Sequence, residues 1–259
     1  MVMKQIIFYW DRILRVKIKI EYDGTNYVGW QKQKNGRSIQ EEIEKCLKQL
    51  FKEEIELYVA GRTDSGVHAI EQVAHFDINH IIDPKKIYLA LNSQLHKSKN
   101  KISILTSEEM PSSFHSRFSA KKRTYLYKIL NRKTFSPLDC DRFYHVPYFL
   151  DENLMTNSSR YLIGNHDFNS FRSKDCQAKS SVRSIENIVI KRKNEKIQIE
   201  ISAKSFLHNQ VRIIVGTLLN IGRKFWNEQK LLEILKSRNR DIAGPTAPPV
   251  GLYLKKIDY

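Results

Sequence analysis

The chain has 259 residues, 41% of them hydrophobic, and its 44 Lys and Arg against 28 Asp and Glu give a net charge of +16 and a pI near 9.7. That length and apolar content suit one large domain or two of ordinary size and exclude a disordered chain, while so large a basic excess favours a polyanionic partner, nucleic acid before membrane. Three scattered cysteines, Cys46, Cys140 and Cys176, with no C-x-x-C pair, exclude a disulfide framework and a cysteine zinc site, and no uncharged apolar run approaches membrane-spanning length.

An apolar patch at Ile6 to Trp10 is followed at once by charges, with no small-residue cleavage pattern, so no signal peptide is expected and a reducing, cytoplasmic setting follows. Arg15 to Tyr22 alternates Val16, Ile18 and Ile20 with Lys17, Lys19 and Glu21, the period of a strand with one buried face, and Asp23-Gly24 turns the chain after it. Ser38 with Glu41 has the spacing of a capping box, and Ile39, Ile43, Leu47 and Leu50 recur behind it at helical spacing. The apolar run Ile55 to Ala60 and the segment Glu71 to Ile78 read as two strands joined by a tight turn. Asp83-Pro84 opens a helix reaching about Leu95, and a strand follows at Ile102 to Thr106.

From Lys121 the pattern restarts. Thr124 to Leu130 is a strand with Tyr125, Tyr127 and Ile129 on one face, and a helix follows near Asn153 to Leu162. Strands at Ile185 to Lys191 and Ile197 to Ala203 bracket the turn Lys193-Asn194-Glu195. A mostly apolar helix from about Leu207 to Ile221, a short one at Glu228 to Ser237 and a final strand at Leu252 to Ile257 complete the chain. The stretch Gly244 to Pro249 reads as a stiff loop ahead of that strand. Each half is thus β-α-β-β-α-β, the second with one extra helix, and an α+β protein of two ferredoxin-like halves, 12–114 and 115–259, with a central ligand cleft is expected. Charge is uneven between them. Residues 1–111 hold 17 Lys and Arg against 15 Asp and Glu, net +2, whereas residues 112–259 hold 27 against 13, net +14.

The turn Gly61-Arg62-Thr63-Asp64-Ser65-Gly66-Val67-His68 is the chain's best candidate for chemistry. Gly61 and Gly66 permit backbone angles that other residues resist, so Asp64 can be held at the rim of a sheet as a nucleophile or acid/base group, or can instead cap backbone donors of a polar hairpin. Arg62 alternates with Asp64 and can touch a phosphate or hold a displaced nucleotide. Arg212, between Val211 and Ile213, is either a snorkelling surface residue or buried, and if buried it needs a carboxylate partner. Tyr125 offers a flat face for a base to stack on, although alternating aromatics on a strand equally make core. His68, His75, His115, His166 and His208 lack the pair spacing of a metal site. The runs Lys121-Lys122-Arg123 and Lys191-Arg192-Lys193 suit a phosphate backbone or a solvated face.

The octet from Gly61 to His68 resembles the catalytic signature of the tRNA pseudouridine synthase A family. Other segments similar to that family follow in its order: Phe114-His115-Ser116-Arg117-Phe118-Ser119-Ala120, Arg123-Thr124-Tyr125-Leu126-Tyr127, Gly164-Asn165-His166-Asp167-Phe168 with Ser170-Phe171, Phe206-Leu207-His208-Asn209-Gln210-Val211-Arg212 and Gly251-Leu252-Tyr253-Leu254. The resemblance implies a pseudouridine synthase fold and conversion of uridine to pseudouridine at positions 38, 39 and 40 in the anticodon stem-loop of tRNA, by a homodimer whose subunits grip one tRNA. It makes Asp64 the nucleophile or general base and Arg212 its ion-pair partner across the cleft. It also sets Tyr125 against the flipped uracil and Leu252 beside the base as an apolar wall. Ser65 departs from the family, where alanine is usual; serine is small enough to be accommodated. The isomerisation oxidises and hydrolyses nothing overall, so no cofactor and no metal is expected. Two other readings compete: a catalytically silent RNA-binding protein, which needs no aspartate at 64, and a hydrolase using Ser65 and His68, which lacks nucleophile-elbow spacing.

Overall fold

The computed structural model describes residues 13–80 and 82–259 of a mixed α+β protein, and the apolar patch Ile6 to Trp10 lies outside them. The described chain divides into two compact units, one comprising residues up to Ala120 together with Tyr259, the other Lys121–Asp258.

The first unit opens with β1, Leu14–Tyr22, on which Val16, Ile18 and Ile20 are wholly buried. Helix α1, Ile39–Phe51, begins where the capping signal places it, with the Ser38 side chain accepting from the Glu41 N–H at 3.2 Å and Ile39, Ile43 and Leu47 buried. The expected strand Ile55 to Ala60 shrinks to β2, Tyr58–Val59. Ile55, Leu57 and Ala60 are buried all the same, and an α1 side chain stands in for the ladder: the Leu57 N–H donates to Glu44 at 3.2 Å. β3 runs His68–Ile78, starting three residues earlier than the alternation suggested. After a 3-10 turn over Pro84–Lys86, α2 spans Ile87–Lys97 and β4 spans Ile102–Met110. All pairings are antiparallel, in the order β4-β1-β3-β2.

One buried histidine gives this unit a pH dependence. His75 on β3 accepts the Ser116 N–H at 3.3 Å through Nδ1 and lies 3.0 Å from the Ser116 hydroxyl, which itself donates to the Tyr58 carbonyl at 2.7 Å. Burial pushes the imidazole down from 6.5 to about 4; the positive charge of His115 and Arg15 adds to the effect and Asp77 opposes it. The unfolded chain therefore binds a proton that the folded one refuses. Stability is whole above the ordinary histidine value of 6.5 and declines as the pH falls towards 4. His75→Gln should flatten this decline in urea-unfolding midpoints measured across that range, and an unchanged slope would place its origin elsewhere.

In the second unit β5 spans Lys122–Asn131, and β6, Tyr144–Val146, runs parallel to its end. Then come α3, Glu152–Ser159, β7, Gly164–Asp167, β8, Val182–Lys193, and β9, Lys196–Ala203. Asn194 turns β8 into β9 with φ at 55°. Helix α4, Gln210–Gly222, is buried on nearly every side and packs against α3, while α5, Gln229–Ser237, buries Leu231, Ile234 and Leu235. β10, Leu252–Asp258, closes the unit. The main path is antiparallel, β10-β5-β9-β8-β7. With the short β6 and β7 of the second unit set aside, each unit taken alone therefore has its first strand between its third and fourth and its second beyond the third. β6 and β7 are too short to show any alternation, which is why sequence reading misses them. Among the described residues no helix is long and apolar enough to cross a membrane.

Candidate active site

Asp64 opens a four-residue turn in the connection from β2 to β3. The Val67 N–H closes it on the Asp64 carbonyl at 3.2 Å, and Gly66 supplies the φ of 75° that a turn of this kind needs at its third position. Gly61 lies outside the left-handed region. The second glycine the turn depends on is Gly29, at φ 110°, where a Cβ would stand 2.7 Å from the Thr63 carbonyl oxygen and 3.1 Å from Asp64 C.

The turn is pinned from beneath and from one side. From β1, the Tyr22 hydroxyl meets Thr63 Oγ1 at 2.7 Å; from β3, the wholly buried Gln72 amide donates to the Gly61 carbonyl at 2.7 Å. Burial drives the Tyr22 phenol up to about 12, despite bonds to Thr63 and Gln72, so a neutral dipole sits under the turn. At the side, the Trp30 N–H donates to the Thr63 carbonyl at 3.0 Å and the Ser65 hydroxyl to the Tyr27 carbonyl at 3.2 Å. His68 is buried and its Nδ1 accepts the Gly24 N–H at 3.2 Å, which gives it a structural role. Arg62 is exposed beside the half-buried Asp64.

The other candidates share a framework in the second unit. Arg212 is half-buried in the first turn of α4, where the helix dipole disfavours a cation. Its Nε donates to the Ala247 carbonyl at 2.7 Å and its Nη1 to Asn209 Oδ1 at 2.8 Å. Asn209 can face it because its own backbone is left-handed, φ 60°, which also explains why α4 begins at Gln210 and not near Leu207. Gly244 to Pro249 is more than a connector. A Cβ on Gly216 would stand 1.8 Å from the Pro245 carbonyl oxygen, Thr217 Oγ1 accepts the Gly244 N–H at 3.0 Å, and the Tyr127 hydroxyl donates to the Pro248 carbonyl at 2.7 Å. Tyr127 is therefore core. Tyr125 is half-buried and edge-on to Phe206, with ring centroids 5.2 Å apart. Leu252 is buried and pairs in register with Tyr127, as Leu254 does with Tyr125.

Asp64 and Arg62 are thus placed on one turn of the first unit, and Arg212, Tyr125 and Leu252 around the 247–254 segment of the second. Sequence reading missed Tyr22, Gln72 and Gly29, and it found the Gly244 to Pro249 loop without linking it to Arg212. Only Gln72, a polar residue among the apolar neighbours of β3, carried a usable signal. Of the basic runs, Lys121 is exposed, Lys122 pairs with Asp258 at 3.6 Å, and Arg192 is spent internally on Glu152 at 2.8 Å and the Leu150 carbonyl at 2.6 Å.

The model of a family described as tRNA pseudouridine synthase matches residues 18–119 and 159–259. The protein called tRNA pseudouridine synthase A from Ehrlichia chaffeensis is 47% identical over 95% of this chain and 100% of its own length, and that from Wolbachia pipientis wMel is 48% identical over the same shares. The Parvibaculum lavamentivorans protein of that name is 44% identical over 95% of this chain and 99% of its own. A solved Cbf5-Nop10-Gar1 complex aligns with a TM-score of 0.32 at 11% identity, over 79% of this chain and 54% of that one, a likeness too slight to build on.

Proposed function

Since the chain belongs to the tRNA pseudouridine synthase family and is an isomerase of uridine in tRNA, we propose that it acts at positions 38, 39 and 40 of the anticodon stem-loop, with Asp64 as nucleophile or base on a flipped-out uridine. What supports this above all is the Asp64 turn, whose position is over-determined by bonds from β1, β3 and the 27–30 loop. Such pre-organisation suits a reacting group more than a surface turn.

The reaction breaks the bond from ribose C1′ to uracil N1, rotates the freed base and joins C1′ to C5, releasing the C5 hydrogen. A base stacked in RNA must first leave the stack for a pocket that keeps water from the intermediate. Asp64 would attack the ribose, attack the base or remove a sugar proton, three routes that share one need, an ionised and aimed carboxylate. We assign Arg212 as its ion-pair partner; a guanidinium kept in the first turn of α4 against the helix dipole, with two of its N–H groups anchored, supports that role. Tyr125, half-buried on β5, would contact the uracil and Leu252 would wall its apolar edge. The exposed Arg62 would hold a phosphate or the displaced neighbour.

The matching strand order of the two units supports a pseudouridine synthase fold of two ferredoxin-like halves, 12–114 and 115–259. The net charge of +14 on residues 112–259 supports an RNA-binding second half. Two subunits would grip one tRNA. In unmodified tRNA carrying C5-labelled uridine, purified protein should release label from positions 38, 39 and 40 and from no other site. A silent RNA-binding protein predicts no release, and release from other positions would move the target.

A further inference from the structure

The loop that holds Arg212 is itself tied down by a second arginine. Arg240, half-buried beyond the C-terminal end of α5, donates through Nη1 to the Gly244 carbonyl at 3.0 Å and through Nη2 to Thr246 Oγ1 at 3.3 Å. Among the described residues no carboxylate is hydrogen-bonded to it. Burial lowers its pKa and the nearby Asp241 only partly opposes this. A half-buried guanidinium whose hydrogen bonds go to a loop and not to a carboxylate calls for a reason. Folding alone does not supply one, since the same loop is already fixed by Thr217 on Gly244, by the close fit of Gly216 to Pro245 and by Tyr127 on Pro248.

What Arg240 alone reaches is the Gly244 carbonyl together with the Thr246 side chain, and Thr246 immediately precedes the residue that aims Arg212. Ala247 is bound to Arg212 twice: its carbonyl takes Nε at 2.7 Å and its N–H donates to the Arg212 carbonyl at 3.1 Å. We infer that Arg240 is a positioning residue for Arg212, bracing residues 244–246 so that the Ala247 carbonyl presents one fixed acceptor to the Arg212 guanidinium. This rests on the reading of Arg212 as the partner of Asp64.

The alternative use of Arg240 is a direct contact with RNA, because it borders a cavity of about 480 Å³ lined also by Ser173, Lys174, Asp175, Asp241 and Thr246. The two uses separate by experiment. Arg240→Gln removes the fork, and Thr246→Val keeps the volume of the side chain while removing one acceptor, so the second variant speaks even if the first folds poorly. For a positioning residue, both should bind unmodified tRNA as tightly as the wild type and slow single-turnover C5-hydrogen release, Arg240→Gln by roughly 10- to 100-fold, the cost of small misplacements of a reacting group. The loss should deepen at low pH in the same sense as for Arg212→Ala, and adding either change to Arg212→Ala should slow it no further, since the device acts only through Arg212. Arg240→Lys should recover part of the rate, its single ammonium reaching one acceptor. Losses that add to that of Arg212→Ala, a pH-independent loss, or weaker tRNA binding with a shallower salt dependence would each overturn the inference, the last in favour of a phosphate contact. A wild-type profile for Arg212→Ala would instead overturn the reading of Arg212 on which it rests.

Discussion

Asp64→Asn is expected to fold and to bind tRNA as the wild type does, and to lose pseudouridine formation by about 10⁴-fold or more, the scale on which losing a reacting side chain acts. The bonds recorded around the turn explain why the fold should survive. They run from Tyr22 to the Thr63 hydroxyl, from Gln72 to the Gly61 carbonyl, from the Trp30 N–H to the Thr63 carbonyl and from the Val67 N–H to the Asp64 carbonyl. Each is a backbone or neighbouring side-chain contact that an isosteric amide leaves in place, and a change at such a half-buried rim position costs about 1 kcal/mol or less. The amide can still hydrogen-bond, but it can neither attack carbon nor accept a proton at neutral pH. Urea unfolding, tRNA binding and single-turnover release of the C5 hydrogen should therefore part company. Appreciable isomerisation by the variant would remove Asp64 from its role, and a large loss of stability would show that the carboxylate serves the turn.

That turn also marks how far the sequence can be read. Local rules work where one element carries its own signal: Ser38 and Glu41 locate the start of α1 to the residue, and the alternation of Val16, Ile18 and Ile20 locates β1. The octet around Asp64 is legible as a motif for the same reason. What supports it is not, because Gly29, Tyr22 and Gln72 reach it from other segments and their spacing in the chain records nothing of that meeting. The Ile55 to Ala60 run buries Ile55, Leu57 and Ala60 but pairs only at Tyr58 and Val59, since Glu44 on α1 meets the Leu57 N–H that a longer strand would have to bond. Apolar periodicity likewise extends α4 back to Leu207, but the left-handed Asn209 stops it, and that same distortion turns the Asn209 side chain towards Arg212.

Arg212→Ala should lose activity most severely at low pH and regain part of it as the pH rises. If Arg212 is the partner proposed for Asp64, its loss leaves a carboxylate that takes up a proton more readily, and less of the variant is then competent on the acidic side. Raising the pH ionises Asp64 again and returns that part of the loss; what stays lost is the aim that the arginine gave. Removing one member of a well-buried pair costs about 3 to 5 kcal/mol, and both side chains here are half-buried, so the cost should fall below that range and the protein should remain folded. Arg212→Lys should be milder yet still impaired. An ammonium restores the charge but cannot keep the bond to the Ala247 carbonyl, the bond to Asn209 and a carboxylate contact in the fixed fork of a guanidinium. The measurement is the single-turnover rate against pH with saturating enzyme for wild type, Arg212→Ala and Arg212→Lys, the acidic limb of Arg212→Ala lying at higher pH than that of the wild type. Profiles that differ only by a constant factor would mean that Arg212 is not what keeps Asp64 ionised.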